Sequence, residues 1–276
     1  MIQTSRQLKD KIRNLSKEYS AGAQLLMRIY MMERLLERIS SSKYKEHFIL
    51  KGGVLVASLV GLSSRSTMDL DATVKDFPVN PTDVERMIQN IMMVPLEDGV
   101  IFRIKSVQEI MEEAEYPGVR LSIQAEFDGT RTPFKMDVST GDVITPSAIQ
   151  YSYPLTFEER SIKLLSYNLE TVLAEKFESI VSKHVANTRM RDFYDVYILQ
   201  EIYEKQISLP LLKAAIKATA EKRGTTRHME MALTSLQEIE ENMDMHELWT
   251  SFQDHNNYAR DISWNEVMDA VKRICE

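Results

Sequence analysis

Two aspartates separated by one residue are the feature of this sequence best suited to chemistry. They lie in the run MDLDATV, where strand alternation predicts Asp69 and Asp71 on one face. The same alternation predicts Met68, Leu70 and Ala72 on the opposite face, in the core. Two carboxylates this close repel each other unless a cation lies between them, and such oxygen ligands suit Mg²⁺ carrying a nucleoside triphosphate. The simpler alternative is an exposed strand face.

A glycine pair upstream of the aspartates favours the chemical interpretation. Gly52 and Gly53 follow the run HFILK and open a short apolar segment that ends at Gly61. Glycines at a strand-to-helix turn let backbone N–H groups approach phosphate oxygens, helped by the helix N-terminus. We therefore predict a nucleotide site that includes this pair together with Arg65 and Thr67. Phosphorylation of Thr67 would add negative charge beside the carboxylates, so this residue is also a candidate off switch.

A third carboxylate is expected on a neighbouring strand. Asp137 lies in the run PFKMDVSTG, where Phe134, Met136 and Val138 alternate with polar residues. Asp137 is therefore predicted to point away from the apolar side. Three acidic groups on adjacent strands are what two-metal phosphoryl transfer needs, so Asp137 is a candidate metal ligand with Asp69 and Asp71. An exposed strand face is again the alternative.

A lysine within an apolar helical stripe is the next candidate. Lys176 follows Val172 and precedes Ile180 by four residues each, and an unpaired buried ammonium costs several kcal/mol. Lys176 therefore needs an anion, and two remain open: a buried carboxylate, Asp192 or Asp195, or the triphosphate of a bound nucleotide.

Two arginines lie at the N-terminus of the predicted helix that carries these aspartates. Arg189 and Arg191 are placed to meet phosphate or an RNA backbone.

The elements that must position these residues change in character along the chain. Residues 5–39 have helical patterns with a break near 20–22, and short alternating runs between about 48 and 145 predict strands. Beyond 154 helical patterns dominate. The predicted class is α+β, a small mixed sheet with flanking helices followed by a helical region, with domains at 1–155 and 156–276. The remaining predicted helices cover 53–61, 81–94, 168–186, 190–204, 209–222, 228–241 and 263–275.

The amino-acid composition limits the classes of protein to which this chain can belong. The 276 residues are 43% hydrophobic and 27% charged. The net charge of −7 argues against a protein that binds nucleic acid mainly through its overall charge. The single cysteine, Cys275, cannot form an internal disulfide, so a cytoplasmic location is expected. No apolar run approaches the ~20 residues of a membrane span, and the polar N-terminus does not resemble a signal peptide. The histidines show no zinc spacing.

Five segments in series resemble the AbiEii/AbiGii-type nucleotidyltransferase toxins, within the polymerase β-like superfamily. They are FILKGGVLVASLVG, RSTMDLDATV, FKMDVSTGDVI, VLAEKFESIVSK and NTRMRDFYDVYIL. The resemblance implies a bilobed protein, with the active site between an α/β lobe and a helical lobe. It implies a toxin–antitoxin or abortive phage-infection enzyme that transfers nucleotides from an NTP to an acceptor such as the tRNA 3′ end, stopping translation. A neighbouring gene would encode the antitoxin.

The resemblance also implies residue roles. Gly53 would cradle phosphate, Asp69 and Asp71 would bind the metal, and Lys176 would contact the triphosphate. Asp192 would complete the site as the base for the acceptor hydroxyl. One departure is Val54, where such enzymes often carry Ser or Thr, so one hydroxyl that could hold a phosphate is missing.

Two other functions fit parts of the sequence. One is nucleotide transfer to a small molecule or a protein, which the chain length and the two aspartates fit equally well, so that only the later helical motifs favour the toxin family. The other is a catalytically silent nucleotide-binding or partner-binding protein. The presence of three candidate metal carboxylates together with the lysine weighs against this second alternative.

Overall fold

The computed structural model describes residues 2–111 and 117–275. It contains a mixed seven-stranded sheet with the strand order β3-β4-β5-β2-β1-β7-β6. Neighbouring strands run antiparallel except for two parallel pairs, β2 with β5 and β1 with β7. The strands are β1 (Phe48–Lys51), β2 (Asp69–Val74), β3 (Val100–Met111), β4 (Pro117–Phe127), β5 (Thr130–Thr140), β6 (Ile149–Pro154) and β7 (Ser161–Ser166).

Eleven α-helices flank or follow the sheet in the described part of the chain. They are α1 (Ser5–Tyr19), α2 (Ala23–Ser41), α3 (Gly52–Val60), α4 (Pro81–Met92), α5 (Leu169–Lys183), α6 (Met190–Tyr203), α7 (Leu209–Arg223), α8 (Thr226–Glu230), α9 (Ala232–Glu241), α10 (Met243–His255) and α11 (Trp264–Arg273). No helix among the described residues is both long enough and apolar enough to cross a membrane. The predicted α+β class is confirmed.

The chain forms two compact units. The first comprises Met1–Asp142 and Ala148–Ser166, and the second comprises Val143–Ser147 and Tyr167–Glu276. The first contains the whole sheet with α1 to α4, and the second contains α5 to α11. In the first unit the apolar face of β5 packs inward, so that Phe134, Met136 and Val138 are buried. Strand alternation therefore leaves the intervening residues of β5 on the other face.

Several elements match the sequence patterns and others do not. The helix break near 20–22 is present between α1 and α2, and Ser263 with Glu266 forms a capping box on α11. The segment predicted as one helix over 228–241 is two helices, α8 and α9. Strand β6 lies between the predicted strand region and the predicted helical region, and β7 lies where helical patterns were expected to dominate. Their pairing partners are distant in sequence, so local patterns carry little information about them.

Candidate active site

Three aspartates come together on one face of the sheet in the first unit. Strand β2 pairs in parallel with β5, and this register places Asp71 directly beside Asp137 and Asp69 beside Lys135. Leu70 and Ala72 are buried on the opposite face, as predicted. Met68 is not in the core: its side chain is 54% exposed because β2 begins only at Asp69, so the alternation does not extend to residue 68.

The glycine pair packs against the aspartate-bearing strand. Gly52 has φ +64°, and a Cβ there would lie 2.2 Å from Asp71 Oδ2. The Gly53 N–H donates a hydrogen bond to that same oxygen at 3.3 Å, and a Cβ on Gly53 would lie 2.6 Å from Thr67 Oγ1. Both positions therefore need glycine: the first for its backbone conformation and for space, the second for space.

The other predicted nucleotide-binding residues are buried beside the pair. Arg65 Nη2 lies 3.2 Å from the point that a Cβ on Gly53 would occupy, and the Arg65 side chain donates to the Ser66 carbonyl. The Thr67 hydroxyl donates to the Asp69 carbonyl at 3.4 Å. Arg65 and Thr67 are only 2% and 7% exposed, so they pack beneath the glycine turn rather than lying at the surface.

The electrostatics of the aspartates suit a cation. Burial raises the pKa of Asp71, the charges of Asp137 and Asp69 raise it further, and the Gly53 N–H and Lys51 act in the opposite direction. A cation at these oxygens would relieve both the burial cost and the repulsion. The donor chemistry therefore fits a hard divalent ion such as Mg²⁺. Among residues 2–111 and 117–275, however, no three His, Cys, Asp or Glu side chains form a ready-made ligand set.

Two basic residues that the sequence analysis did not single out lie at this site. Arg120 on β4 holds both oxygens of Asp137, with Nε to Oδ1 at 2.8 Å and Nη2 to Oδ2 at 2.6 Å. Lys51 is the register partner of Asp71 and pairs with the buried Asp142 at 2.5 Å. Lys51 directly precedes the glycine pair, which is a usable local signal. Arg120 is identified only by the β4–β5 register.

The remaining predicted residues form a separate ion-pair group in the second unit. Lys176 Nζ on α5 lies 2.8 Å from Asp192 Oδ1 and 2.7 Å from Asp195 Oδ2, both on α6. Burial acts to lower the pKa of Lys176, but the two carboxylates outweigh it and raise the pKa above its ordinary value. These ion pairs provide one of the two anions left open by the sequence, and the contact of Lys176 with a triphosphate stays a prediction.

The family of the chain follows from comparison with known proteins. Residues 34–270 match the model of the family described as nucleotidyl transferase AbiEii toxin, type IV toxin–antitoxin system. The chain belongs to the AbiEii toxin family. This chain is thus a nucleotidyltransferase of a toxin–antitoxin system, and the resemblance drawn from the five sequence segments is confirmed.

Solved structures agree with this fold. The nucleotidyltransferase toxin MenT4 of Mycobacterium tuberculosis is 13% identical with a TM-score of 0.55, over 95% of this chain and 98% of that one. A Helicobacter pylori protein assigned as a nucleotidyltransferase is 15% identical with a TM-score of 0.51, over 92% of this chain and 96% of that one. At these identities the likeness concerns the fold alone. No curated protein matches the AbiEii chain.

Proposed function

We propose that this AbiEii protein transfers a nucleotide from an NTP to the 3′ hydroxyl of an RNA acceptor, the tRNA 3′ end, and so blocks translation. The observation that carries the proposal is the register that sets Asp71 beside Asp137, with Asp69 on the same face and a glycine-led helix adjoining. Carboxylates from adjacent strands beside helix N–H groups are suited to a metal-bound triphosphate. Because RNA and NTPs are cytoplasmic, we assign the reaction to that compartment.

The residues of the first unit would hold the NTP. Asp69 and Asp71 would bind Mg²⁺, and Asp137 would join them when it exchanges Arg120 for the ion. When bound, Mg²⁺ neutralises triphosphate charge and so favours attack at phosphorus. The backbone N–H of Gly52 would face phosphate oxygens, and that of Gly53 would do so on exchanging its long hydrogen bond to Asp71 for phosphate, supported by the buried Arg65 and Thr67. Val54 offers only a buried apolar side chain here, so phosphate recognition rests on backbone donors.

Lys176 and Asp192 are the proposed cation and base. We assign Lys176 to the triphosphate and Asp192 to the acceptor hydroxyl, although in the structure they bind each other. The hydroxyl oxygen would attack the α-phosphorus, the α-phosphorus bond to the bridging oxygen would break, and pyrophosphate would leave. Asp192 would take the hydroxyl proton. The antitoxin of the system would limit this activity.

The test is transfer from each of four labelled NTPs, with Mg²⁺, to purified total tRNA. We expect label on RNA for the wild type, loss of label with EDTA, and recovery with excess Mg²⁺. The Asp69→Ala/Asp71→Ala variant should lose at least a hundredfold in rate, because the charge-neutralising ion is no longer held. A parallel reaction with cell lysate identifies other acceptors. Label on a protein or small molecule but not on RNA would overturn the assigned acceptor.

A further inference from the structure

A second feature of the first unit is a groove with a strongly basic lining. Its volume is about 750 Å³, and it lies between α1, the start of α2 and the start of β5. Five lysine or arginine residues line it, and no described aspartate or glutamate does; the basic residues are Lys9, Arg13, Lys17, Arg28 and Arg131. Arg131 forms an ion pair with Glu126 at 3.4 Å, and the other cations leave the lining positively charged. In a chain whose net charge is −7, this local positive charge favours binding of a polyanion.

The cations are arranged in a row on α1. Lys9, Arg13 and Lys17 are spaced by four residues, so they form one stripe with about 6 Å of axial rise between neighbours. All three are exposed beside the buried stripe that anchors the helix. Arg13 forms only an exposed ion pair with Asp10 at 3.3 Å, which contributes little. A row of accessible charges suits a chain of phosphates better than a single small anion.

The groove and the candidate active site share strand β5. Arg131, Pro133, Lys135 and Asp137 alternate along the outward face of this strand, and the first two line the groove. Six residues separate Arg131 from Asp137, which corresponds to about 20 Å of strand. Lys135, which is exposed, lies between the groove and Asp137. An extended strand of RNA a few nucleotides long would span this distance.

We propose that this basic groove binds the phosphate backbone of the RNA acceptor upstream of the 3′ end that reacts. This inference rests on the proposed RNA acceptor. The position of both features on β5 favours RNA over an acidic protein segment, because the acceptor's reactive end must reach the aspartates. Phosphate contacts carry no sequence information, so the groove would set position and affinity rather than base choice.

Charge removal on α1 tests the proposal. The groove variant is Lys9→Gln/Arg13→Gln/Lys17→Gln, and the matched control is Lys45→Gln/Lys75→Gln/Lys163→Gln, three exposed lysines of the same unit outside the groove. Arg28 stays unchanged because its Nε donates to the Pro133 carbonyl at 3.1 Å. Binding of a fluorescent 20-nucleotide single-stranded RNA is measured by anisotropy over a range of salt. Circular dichroism checks that both variants fold.

We expect the groove variant to bind this RNA at least tenfold more weakly than the control at about 0.1 M salt. The slope of log K against log salt should become less negative by about 2, because three phosphate contacts are lost. In the transfer assay, KM for RNA should rise while KM for NTP stays unchanged. Equal RNA binding by the two variants would overturn the proposed role of the groove and would leave the proposed function unaffected.

Two further outcomes separate the sources of failure. Poly-glutamate serves as a second probe for the same two variants. If the groove variant loses poly-glutamate binding but keeps RNA binding, the proposal is overturned and the groove is assigned to an acidic protein. If the wild type neither binds nor labels RNA but labels another acceptor, the proposed function fails and the groove proposal fails with it.

Discussion

At the scale of single residues, the close contact between Gly52 and Asp71 predicts that position 52 requires glycine. Gly52→Ala would require a Cβ at φ +64° and 2.2 Å from Asp71 Oδ2. Gly129→Ala is the matched control, because its φ is +76° and no atom lies within 4 Å of its Cβ position. Both should pay a backbone cost of about 1–2 kcal/mol. Only Gly52→Ala should also lose most of the transfer activity, because Asp71 must move.

Urea unfolding and the transfer rate separate these two effects. Activity of Gly52→Ala equal to that of Gly129→Ala would show that Asp71 does not depend on the glycine.

A second residue-scale prediction concerns Glu33, which is buried on α2. Burial raises the pKa of Glu33 to about 7, although the Thr156 N–H hydrogen bond and Arg34 act to lower it. The native state therefore binds more protons than the unfolded state between pH 4.5 and about 7. The free energy of unfolding should fall as pH rises through this window and stay reduced above it.

Glu33→Gln keeps the acceptor for the Thr156 N–H, which lies 2.8 Å from Glu33 Oε1, and removes the titration. The stability of the variant relative to the wild type should increase from pH 4.5 to pH 8 in urea titrations. A difference that does not change with pH would contradict the assigned burial effect.

At the scale of elements, α5 and α6 are joined by the ion-pair group of Lys176, Asp192 and Asp195. Asp195 is fully buried, so Lys176→Met should destabilise the protein by about 3–5 kcal/mol by leaving carboxylates without their cation. The double variant Lys176→Met/Asp195→Asn should recover part of this loss. Urea unfolding of the single and double variants measures the coupling.

The same variants separate structure from catalysis. If Lys176 also contacts the triphosphate, the double variant should remain inactive at temperatures where it is folded. Restored transfer in the folded double variant would limit Lys176 to a structural role.

At the scale of the whole molecule, the chain passes between the two units more than once. Val143–Ser147 belongs to the second unit, and Ala148–Ser166 returns to the first. The sequence-based division at 155/156 stays a prediction, and fragments test it. A 1–155 fragment lacks β7, so β1 would lose its pairs at Ile49 and Leu50 and become an exposed edge. We expect 1–155 to aggregate and 1–166 to stay soluble.

Far-UV circular dichroism and size-exclusion chromatography of the two fragments provide the measurement. If both fragments are folded and soluble, β7 is dispensable for the sheet and the earlier boundary is favoured.

The sequence alone determined the features that depend on local periodicity. Alternation around Asp71 and Asp137 fixed which side of each strand is apolar, because a buried face requires every second residue to be apolar. The apolar stripe of α5 showed that Lys176 needs an anion. The order of the motifs indicated the family, which the match over residues 34–270 confirmed.

Only the tertiary structure decided which of these side chains meet. The parallel register that sets Asp71 beside Asp137, and the antiparallel register that brings Arg120 to Asp137, join segments far apart in sequence. Register depends on how whole faces pack, and a shift of one residue would turn every side chain to the other face. The ion pairs of Lys176 with Asp192 and Asp195 depend on tertiary structure in the same way, through the packing of α6 against α5.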